Sequence, residues 1–385
     1  MAAILSTDDF AHLSKGFDRE HPARSHSIHA DCYRHPQFID VEREQIFHRS
    51  WQFLCHEEKL REVGSYIAAD IQGQSIFACR DKDGELRAFY NVCKHRGHEL
   101  LKGEGVAKSI VCPYHAWVYN LGGQLINVRR EEYIENFSKS DVCLDQVRLE
   151  VFCHMVFVNL DADATPLAVQ TGELANEVMA YAPDLADLTF AHRLTYNIKA
   201  NWKSVVDNFL ECYHCPVAHL DFVSLVEMDT YKVKTHGIYS SHMAKAGLGD
   251  NNAYAVENAS VTDHAVWFLW PNMTLMRYPG RGNFMVWRFY PDGPERTYEV
   301  FDFFLETAEP NEAEVEAIKF IDEVLQPEDI GLVESVQRGM QTPAFNQGRY
   351  MVDPDGSGMS EHAVHHFHSL VLDAYKSAVA DGAKA

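Results

Sequence analysis

One residue lies between Cys93 and His95, two lie between Cys112 and His115, and sixteen separate the two pairs. This spacing constrains the fold more tightly than any other feature of the chain. Each pair follows a β-rich run, so each is expected in a loop at a hairpin tip. Two such loops facing each other deliver two thiolates and two imidazoles to one small volume. The surrounding sequence agrees: GSYIAADI, SIFACR, LRAFYNV, SIVCPY, WVYNLGG and VFCHMVFVNL alternate with turn signals such as Asp83-Gly84 and Gly122-Gly123. Short strands at close spacing read as a small all-β domain.

Three readings of the four side chains compete. Unrelated buried cysteines and surface histidines rarely fall into two tight pairs. A structural zinc site accepts a Cys2His2 set, but zinc fingers pair Cys with Cys and His with His around a helix, whereas each half here mixes the two in a β setting. A Rieske [2Fe–2S] cluster is held by two Cys on one iron and two His on the other, which suits the mixed halves and is the stronger reading.

Charge and length narrow the setting. At roughly 100–200 residues per domain, a chain of 385 residues holds two or three domains. Lys and Arg total 34 against 56 Asp and Glu, a formal charge of −22. Such a surface repels phosphate backbones and anionic membranes, so neither nucleic acid nor membrane is an expected partner. Solubility alone explains the charge, though it also permits a basic protein partner or a cationic small molecule. No apolar run reaches the roughly 18 residues of a membrane span; the stretch from Val266 to Met276 is broken by Pro271 and Asn272. The N-terminus lacks a basic segment ahead of an apolar core, so a cytoplasmic location is expected. Nine cysteines, an odd number, argue against a disulfide framework in that setting.

The pattern along the chain is α+β. A polar arm and a helix over Asp40–Ser50, burying Val41, Ile46 and Phe47, form residues 1–50, counted with the larger domain. The β domain covers 51–160, and a larger α+β domain covers 161–385. Within it the pattern predicts helices over 170–182, 203–222, 310–325, 327–340 and 360–380, a strand over 189–200, and a β-meander from about 230 to 305.

A second constellation lies in NWKSVVDNFLECYHCPVAHLDF. His214 and His219 are five apart, close to one helical turn, so a slightly distorted helix places both on one face. Two His and a carboxylate from elsewhere form the facial triad of non-haem Fe(II) oxygenases, which leaves coordination positions open. Taken alone, the pair is equally an ordinary feature of an amphipathic helix.

The segment CKHRGHELLKGEGVAKSIVCPYHAW resembles the Rieske signature of the ring-hydroxylating, Rieske non-haem iron oxygenase α subunits, and related order continues along nearly the whole chain. The resemblance implies a Rieske domain followed by a catalytic domain with a twisted antiparallel sheet flanked by helices, a helix-grip (START-like) fold. It assigns Cys93, His95, Cys112 and His115 to the cluster and His214 and His219 to mononuclear iron. The third ligand is expected at Asp329, after Pro327, with the adjacent Glu328 left open. It implies a head-to-tail homotrimer in which Glu211 bridges His214 to a cluster histidine of the neighbouring subunit, His115 being the expected one. Asp207 and Asn208, one turn earlier, are candidates for supporting the ligands. With no Gly-rich dinucleotide fingerprint in the chain, NAD(P)H and flavin are expected only through a separate reductase.

The run Glu211-Cys212-Tyr213-His214-Cys215, then His219 after three residues, looks narrower still. It is similar to the oxygenases of glycine betaine, stachydrine and carnitine, with Cys212 and Cys215 read as packing residues. The implied reaction is mono-oxygenation, leading to N-demethylation or C–N cleavage. A ring hydroxylase or O-demethylase of aromatic acids stays open, as does a plain Rieske electron carrier. A quaternary ammonium is recognised by aromatic faces and carboxylates. The meander offers Trp267, Phe268, Trp270, Tyr278, Phe284, Trp287, Phe289 and Tyr290, of which alternation admits about half; Trp267, Trp270, Phe284 and Trp287 are the pocket candidates. Arg277, Arg281 and Arg288 are read as surface residues that would otherwise meet a substrate carboxylate. His362, His365, His366 and His368 are likewise read as surface histidines.

Overall fold

The computed structural model describes residues 5–247 and 261–382. The chain forms two compact units: one spans Phe47–Val169, and the other takes the described residues before and after it.

The first unit is all β. Its strands are β1 (Gln52–His56), β2 (Ser65–Ile71), β3 (Gln74–Arg80), β4 (Leu86–Tyr90), β5 (Glu104–Val106), β6 (Ile110–Val111), β7 (Val118–Tyr119), β8 (Leu125–Asn127), β9 (Gln146–Phe152) and β10 (Met155–Asn159). Seven of them form a sheet in the order β1-β10-β9-β4-β3-β2-β5, and β6-β7-β8 form a small second sheet. Two apolar clusters fill the unit. One, with Phe77, Phe89, Ile110, Tyr119 and Leu125, also contains Cys93 and Cys112.

The second unit is built on one seven-stranded antiparallel sheet. Its strands are β11 (Thr189–Ile198), β12 (Lys232–His236), β13 (Tyr239–Lys245), β14 (Asp263–Leu269), β15 (Met273–Arg277), β16 (Asn283–Pro291) and β17 (Thr297–Leu305). The order β11-β17-β16-β15-β14-β13-β12 is a meander with β11 added beside its last strand. Register fixes the faces, because a strand's side chains alternate. Val266 pairs with Met276, Thr274 with Trp287, Trp287 with Phe301, and Phe289 with Glu299. These side chains share the face that receives the Trp202–Phe209 helix, whose Phe209 packs on Trp287 and Phe289 with ring centroids 5.4 and 5.9 Å apart. The opposite face carries Trp267, whose indole N–H donates to Glu177 Oε2 at 2.9 Å from the Leu174–Tyr181 helix.

Several helical expectations change in detail: the helix over 170–182 is two pieces, Leu167–Thr171 and Leu174–Tyr181, parted at Gly172 with φ 54°. The Asp40–Ser50 helix starts at Gln37 and ends in a π-type turn over Arg43–Phe47, with Val41, Ile46 and Phe47 buried as expected. The two acidic helices are continuous, Glu312–Phe320 leading through a π turn at Ile321–Leu325 into Gln326–Met340. The single helix expected over 203–222 is instead three short pieces, Trp202–Phe209, Cys215–Ala218 and Leu220–Leu225. Pro216 at the start of the second piece lacks the N–H that a continuous helix would need there.

The first of those pieces is anchored from beneath. Glu42 accepts the indole N–H of Trp202 at 2.7 Å and the Tyr375 hydroxyl at 2.6 Å, and pairs with Lys203. Lys203 and Glu42 are 0% and 1% exposed, so removing either partner strands a buried charge. The network ties the N-terminal and C-terminal helices to the segment that leads into His214.

Candidate metal centres

In the β unit, the four sequence-paired side chains occupy two turns of the same design. The amide of Gly97 donates to the Cys93 carbonyl at 2.9 Å, and the amide of Ala116 donates to the Cys112 carbonyl at 3.0 Å. Both closing residues are left-handed, Gly97 at φ 69° and Ala116 at φ 56°. Glycine tolerates that conformation; alanine does not without strain. The thiols lie inside, each cysteine 2% exposed, while His95 is exposed and His115 half-buried. The Tyr119 hydroxyl sits 3.3 Å from Cys93 Sγ and accepts from the Lys94 amide at 3.0 Å. Trp117 stacks on the His95 ring at 4.8 Å.

The Nδ1 atoms of His95 and His115 are 3.1 Å apart. Two nitrogens each about 2.1 Å from one ion stand roughly 3 Å apart, so the two imidazoles fit one metal between them. Paired buried thiols and paired imidazoles at the outer edge fit a [2Fe–2S] group divided between Cys and His.

In the α+β unit the broken helix creates the second site. Asn201 caps the Trp202–Phe209 helix, its side chain accepting from the Lys203 amide at 3.0 Å. The chain then turns. Glu211 Oε2 accepts the amides of Tyr213 and His214, the latter at 3.1 Å, and Glu211 Oε1 lies 2.5 Å from His214 Nδ1. One helical turn separates the two histidines, closed by the His219 amide donating to the Cys215 carbonyl at 2.8 Å. Asp329 arrives in the first turn of the Gln326–Met340 helix. Its Oδ1 is 2.9 Å from His219 Nε2 and 3.6 Å from His214 Nε2, and the two Nε2 atoms are 3.1 Å apart. Two of these separations match the edge of roughly 3 Å of an octahedral face with bonds of about 2.1 Å and the third is longer, and two nitrogens with one carboxylate oxygen match the facial donor set for ferrous iron.

Glu328 does something different from its neighbour. Its Oε2 lies 2.7 Å from His219 Nδ1, the nitrogen turned away from the donor cluster. Each imidazole thus has a carboxylate behind it, Glu211 for His214 and Glu328 for His219, which fixes the tautomer that leaves Nε2 free for a metal. Burial lowers the His214 pKa, but Asp329 and Glu211 outweigh it and hold the imidazole up at about 9. His219 is raised in the same contest, with Asp329 the chief opponent of burial. The site is short of positive charge, as a divalent-cation site should be.

The same cavity is lined by Phe209, Phe222, Tyr231, Trp287 and Phe289, with His242, His264 and Glu299. Burial lowers His242 to about 3 and His264 to about 4, so both imidazoles are neutral. Burial, aided by the charge of Asp329, pushes the Glu299 pKa well above the carboxylate range. None of these three was singled out from sequence; their only signal is strand parity, readable once the register is known.

Of the four aromatic pocket candidates, Trp287 alone lines this cavity. Trp267 lies on the opposite face of the sheet. Trp270 packs on Phe367 of the His362–Gly382 helix at 5.7 Å. Phe284, one residue out of phase with Phe289 and Trp287, lines with Met285 a separate apolar cleft beside the Glu312–Phe320 helix. Asn208 lines the cavity with Nδ2 3.4 Å from His214 Nε2, whereas Asp207 bonds to the Tyr33 hydroxyl at 2.7 Å and to His368 Nε2 at 2.9 Å.

Other surface readings are corrected. Arg277 and Arg288 are 0% and 7% exposed; Arg277 sits 3.5 Å from Asp184, and Arg288 pairs with Asp302. Arg281 is on the surface, as expected, with its side chain 81% exposed. His365 and His368 are buried, His368 between the hydroxyls of Tyr33 and Tyr350. Cys212 and Cys215 are not free packing thiols but a disulfide, their Cα atoms 4.9 Å apart across the turn that carries His214. A C-x-x-C spacing folded into one tight turn meets the bridging distance without help from other elements.

Comparison with known proteins adds an independent line. A model of the ring hydroxylating alpha subunit (catalytic domain) matches residues 185–377, and one of the Rieske [2Fe-2S] domain matches 50–138. The carnitine monooxygenase oxygenase subunit of Escherichia coli (strain K12) is 38% identical over 357 residues, covering 92% of this chain and 95% of that protein. The chloroplastic choline monooxygenase of Spinacia oleracea is 30% identical over 362 residues, covering 92% and 80%. The crystal structure of the quaternary ammonium Rieske monooxygenase CntA in complex with L-carnitine superposes with a TM-score of 0.84 at 33% identity, over 93% of this chain and 97% of that one.

Proposed function

The chain belongs to the Rieske oxygenase α subunits, the oxygen-using terminal components that carry a [2Fe–2S] cluster and non-haem iron and draw electrons from a reductase, and from that premise we propose that it oxidises a small quaternary ammonium compound. When bound, the cluster supplies electrons one at a time and the ferrous ion supplies a site at which dioxygen reacts. Cys93, His95, Cys112 and His115 would hold the first, and His214, His219 and Asp329 the second.

The observation that carries the substrate class is the charge of the cavity. Among the described residues that line it there is no Lys or Arg, while Glu211 and Asp329 contribute carboxylates paired with the imidazoles, and Glu299 a buried carboxyl, beside Trp287, Phe289 and Tyr231. A quaternary ammonium offers no N–H, so aromatic faces and anionic charge are what can bind it. An aromatic acid would meet no fixed cation here, which disfavours the ring-hydroxylase alternative. The homologues are named for carnitine and choline, both quaternary ammonium compounds.

The chain's own residues have separable tasks. Glu211 and Glu328 hold the two imidazoles in register, and the aromatic wall excludes water and presents the substrate. Oxidation of an N-methyl carbon gives a hemiaminal that releases formaldehyde; oxidation beside the nitrogen breaks a C–N bond. Glu211 is also proposed as the bridge to a cluster histidine of a neighbouring subunit in a head-to-tail trimer, a reading supported by its position behind His214. The electron donor is a separate NAD(P)H-dependent flavin and iron–sulfur reductase.

The test is a substrate screen with a surrogate reductase, recording oxygen uptake and formaldehyde release over betaines, choline, carnitine and aromatic acids. Substrate-coupled uptake with a quaternary ammonium is expected. Coupled turnover of aromatic acids alone would overturn the substrate class. Iron analysis should find three irons per chain, two in the cluster and one mononuclear.

A further inference from the structure

We infer that Glu299 is the residue that makes this cavity select a positively charged substrate over a neutral one of the same shape. The inference deepens the quaternary ammonium reading and rests on it.

Glu299 stands in β17 between Phe289 of β16 and Tyr196 of β11, its Cα partners on either side. It is 2% exposed and lines the cavity that holds the three candidate iron ligands. Its Oε2 is buried and has no hydrogen-bond partner among the described residues. The carboxylates around it are all engaged. Glu211 is on His214, Glu328 is on His219, and Asp329 faces both imidazoles. Even Asp322, close by in sequence to the helix that carries Asp329, accepts the Tyr196 hydroxyl at 2.7 Å. Glu299 is the carboxyl of this cavity that serves no other group.

Buried polar groups in native proteins are almost always satisfied, so a carboxyl left without a partner on a cavity wall calls for a ligand that completes it. The chemistry of that ligand follows from the walls. Val205, Phe289, Ile330 and Val333 give apolar surface to a cavity whose polar side chains also include Tyr231, His242 and His264. A quaternary ammonium needs no hydrogen-bonding group: its charge is spread over methyl groups that pack against aromatic and aliphatic surface, and the cation beside Glu299 favours the ionised carboxyl that burial otherwise opposes, so the two form a counter-charge pair when the ligand is bound. A neutral tert-butyl analogue fits the same walls and gains nothing from the carboxylate. Selection therefore rests on one charge, and the aromatic residues contribute affinity common to both ligands.

The experiment uses the iron-loaded, cluster-containing enzyme under anaerobic conditions, with binding measured by calorimetry. Choline, glycine betaine, L-carnitine and tetramethylammonium are titrated first. The tightest of them is then compared with its carbon isostere, in which a quaternary carbon replaces the nitrogen. In Glu299→Gln the cation is expected to bind at least about tenfold more weakly, while the isostere changes by less than about twofold; Glu299→Asp recovers part of the loss. In turnover the same substitution raises KM more than it lowers kcat. Equal weakening of cation and isostere would show that Glu299 only shapes the wall, and unchanged cation affinity would remove it from recognition; either overturns the inference while leaving the substrate class standing. If the native enzyme shows no preference for any cation over its isostere, the quaternary ammonium reading itself fails, and the role of Glu299 with it.

Discussion

In the β unit, the four candidate cluster residues sit on two turns, each closed by an amide only four residues beyond its cysteine. In the α+β unit, the candidate iron ligands come from a broken helix and from another helix more than a hundred positions later, and each imidazole needs a separate carboxylate behind it. The first design is local and self-supporting, so its geometry is written into short stretches of backbone. The second is assembled by packing, so its geometry depends on everything that holds the helices against the sheet, including the buried Glu42–Lys203 pair. A short-range site tolerates change elsewhere in its unit; a long-range site does not.

Removing a ligand from each site is the strongest way to break this contrast. Asp329→Ala should deplete mononuclear iron, lower activity by more than about a hundredfold, and leave the visible spectrum of the cluster intact. Iron analysis beside absorption spectroscopy reads this directly, and full iron retention would shift the ligand role toward Glu328. Glu328→Gln should be milder, weakening iron affinity by about 10–100-fold, because the carboxylate orients His219 without occupying the donor cluster.

Glu211→Gln sharpens the contrast from the other side. The amide retains an acceptor for the turn but not the charge behind His214, so both metals are expected to stay bound while substrate-coupled oxidation of the cluster slows by about tenfold or more. Single-turnover kinetics measure this. An unchanged rate would confine Glu211 to holding the turn.

Acid should separate the units by stability. His242 and His264 in the α+β unit titrate at about 3 and about 4, below the ordinary 6.5, because burial disfavours their charged forms. At these two sites the unfolded chain therefore binds more protons than the folded one below pH 6.5. Their contribution to stability is complete above that value and is lost progressively as the pH falls toward about 3. Thermal melts at stepped pH should show the transition of this unit falling by several degrees, and His264→Gln should flatten the slope.

The smallest test compares the two cluster turns with each other. A left-handed backbone costs a non-glycine residue about 1–2 kcal/mol, partly offset by the extra freedom of glycine in the unfolded chain. Ala116→Gly should then stabilise the unit by up to about 1 kcal/mol, and Gly97→Ala should destabilise it by a similar amount. A methyl at Gly97 would meet only Val92 Cγ2 at 4.0 Å, so strain rather than collision is the cause. Chemical denaturation of the two variants would show opposite signs.

Much of the fold was legible because its signals are short-range. Alternating apolar runs marked the strands, and paired Cys and His marked the loops between them. The pocket was less legible. Trp267 and Trp287 look alike as sequence, yet they fall on opposite faces because strand register, not residue type, decides which side chain faces the cavity. The helix expected across His214 and His219 gave way to a turn stiffened by Glu211, Pro216 and the Cys212–Cys215 bridge. Arg277, Arg288, His365 and His368 carry polar side chains that composition places outside, but each is buried and finds a hydrogen-bonding partner elsewhere in the chain.

By itself the sequence determined the residue types and local spacings that two metal groups need, because those depend on a few bonds of backbone. The division of labour between Asp329 and Glu328 was decided only by the tertiary structure. Adjacent helical residues point about 100° apart, and the packing of that helix against the broken one turns Asp329 toward both Nε2 atoms and Glu328 toward the far nitrogen of His219. The same packing brings the unpartnered Glu299 into the cavity, a placement that follows from the pairing of strands far apart in the chain.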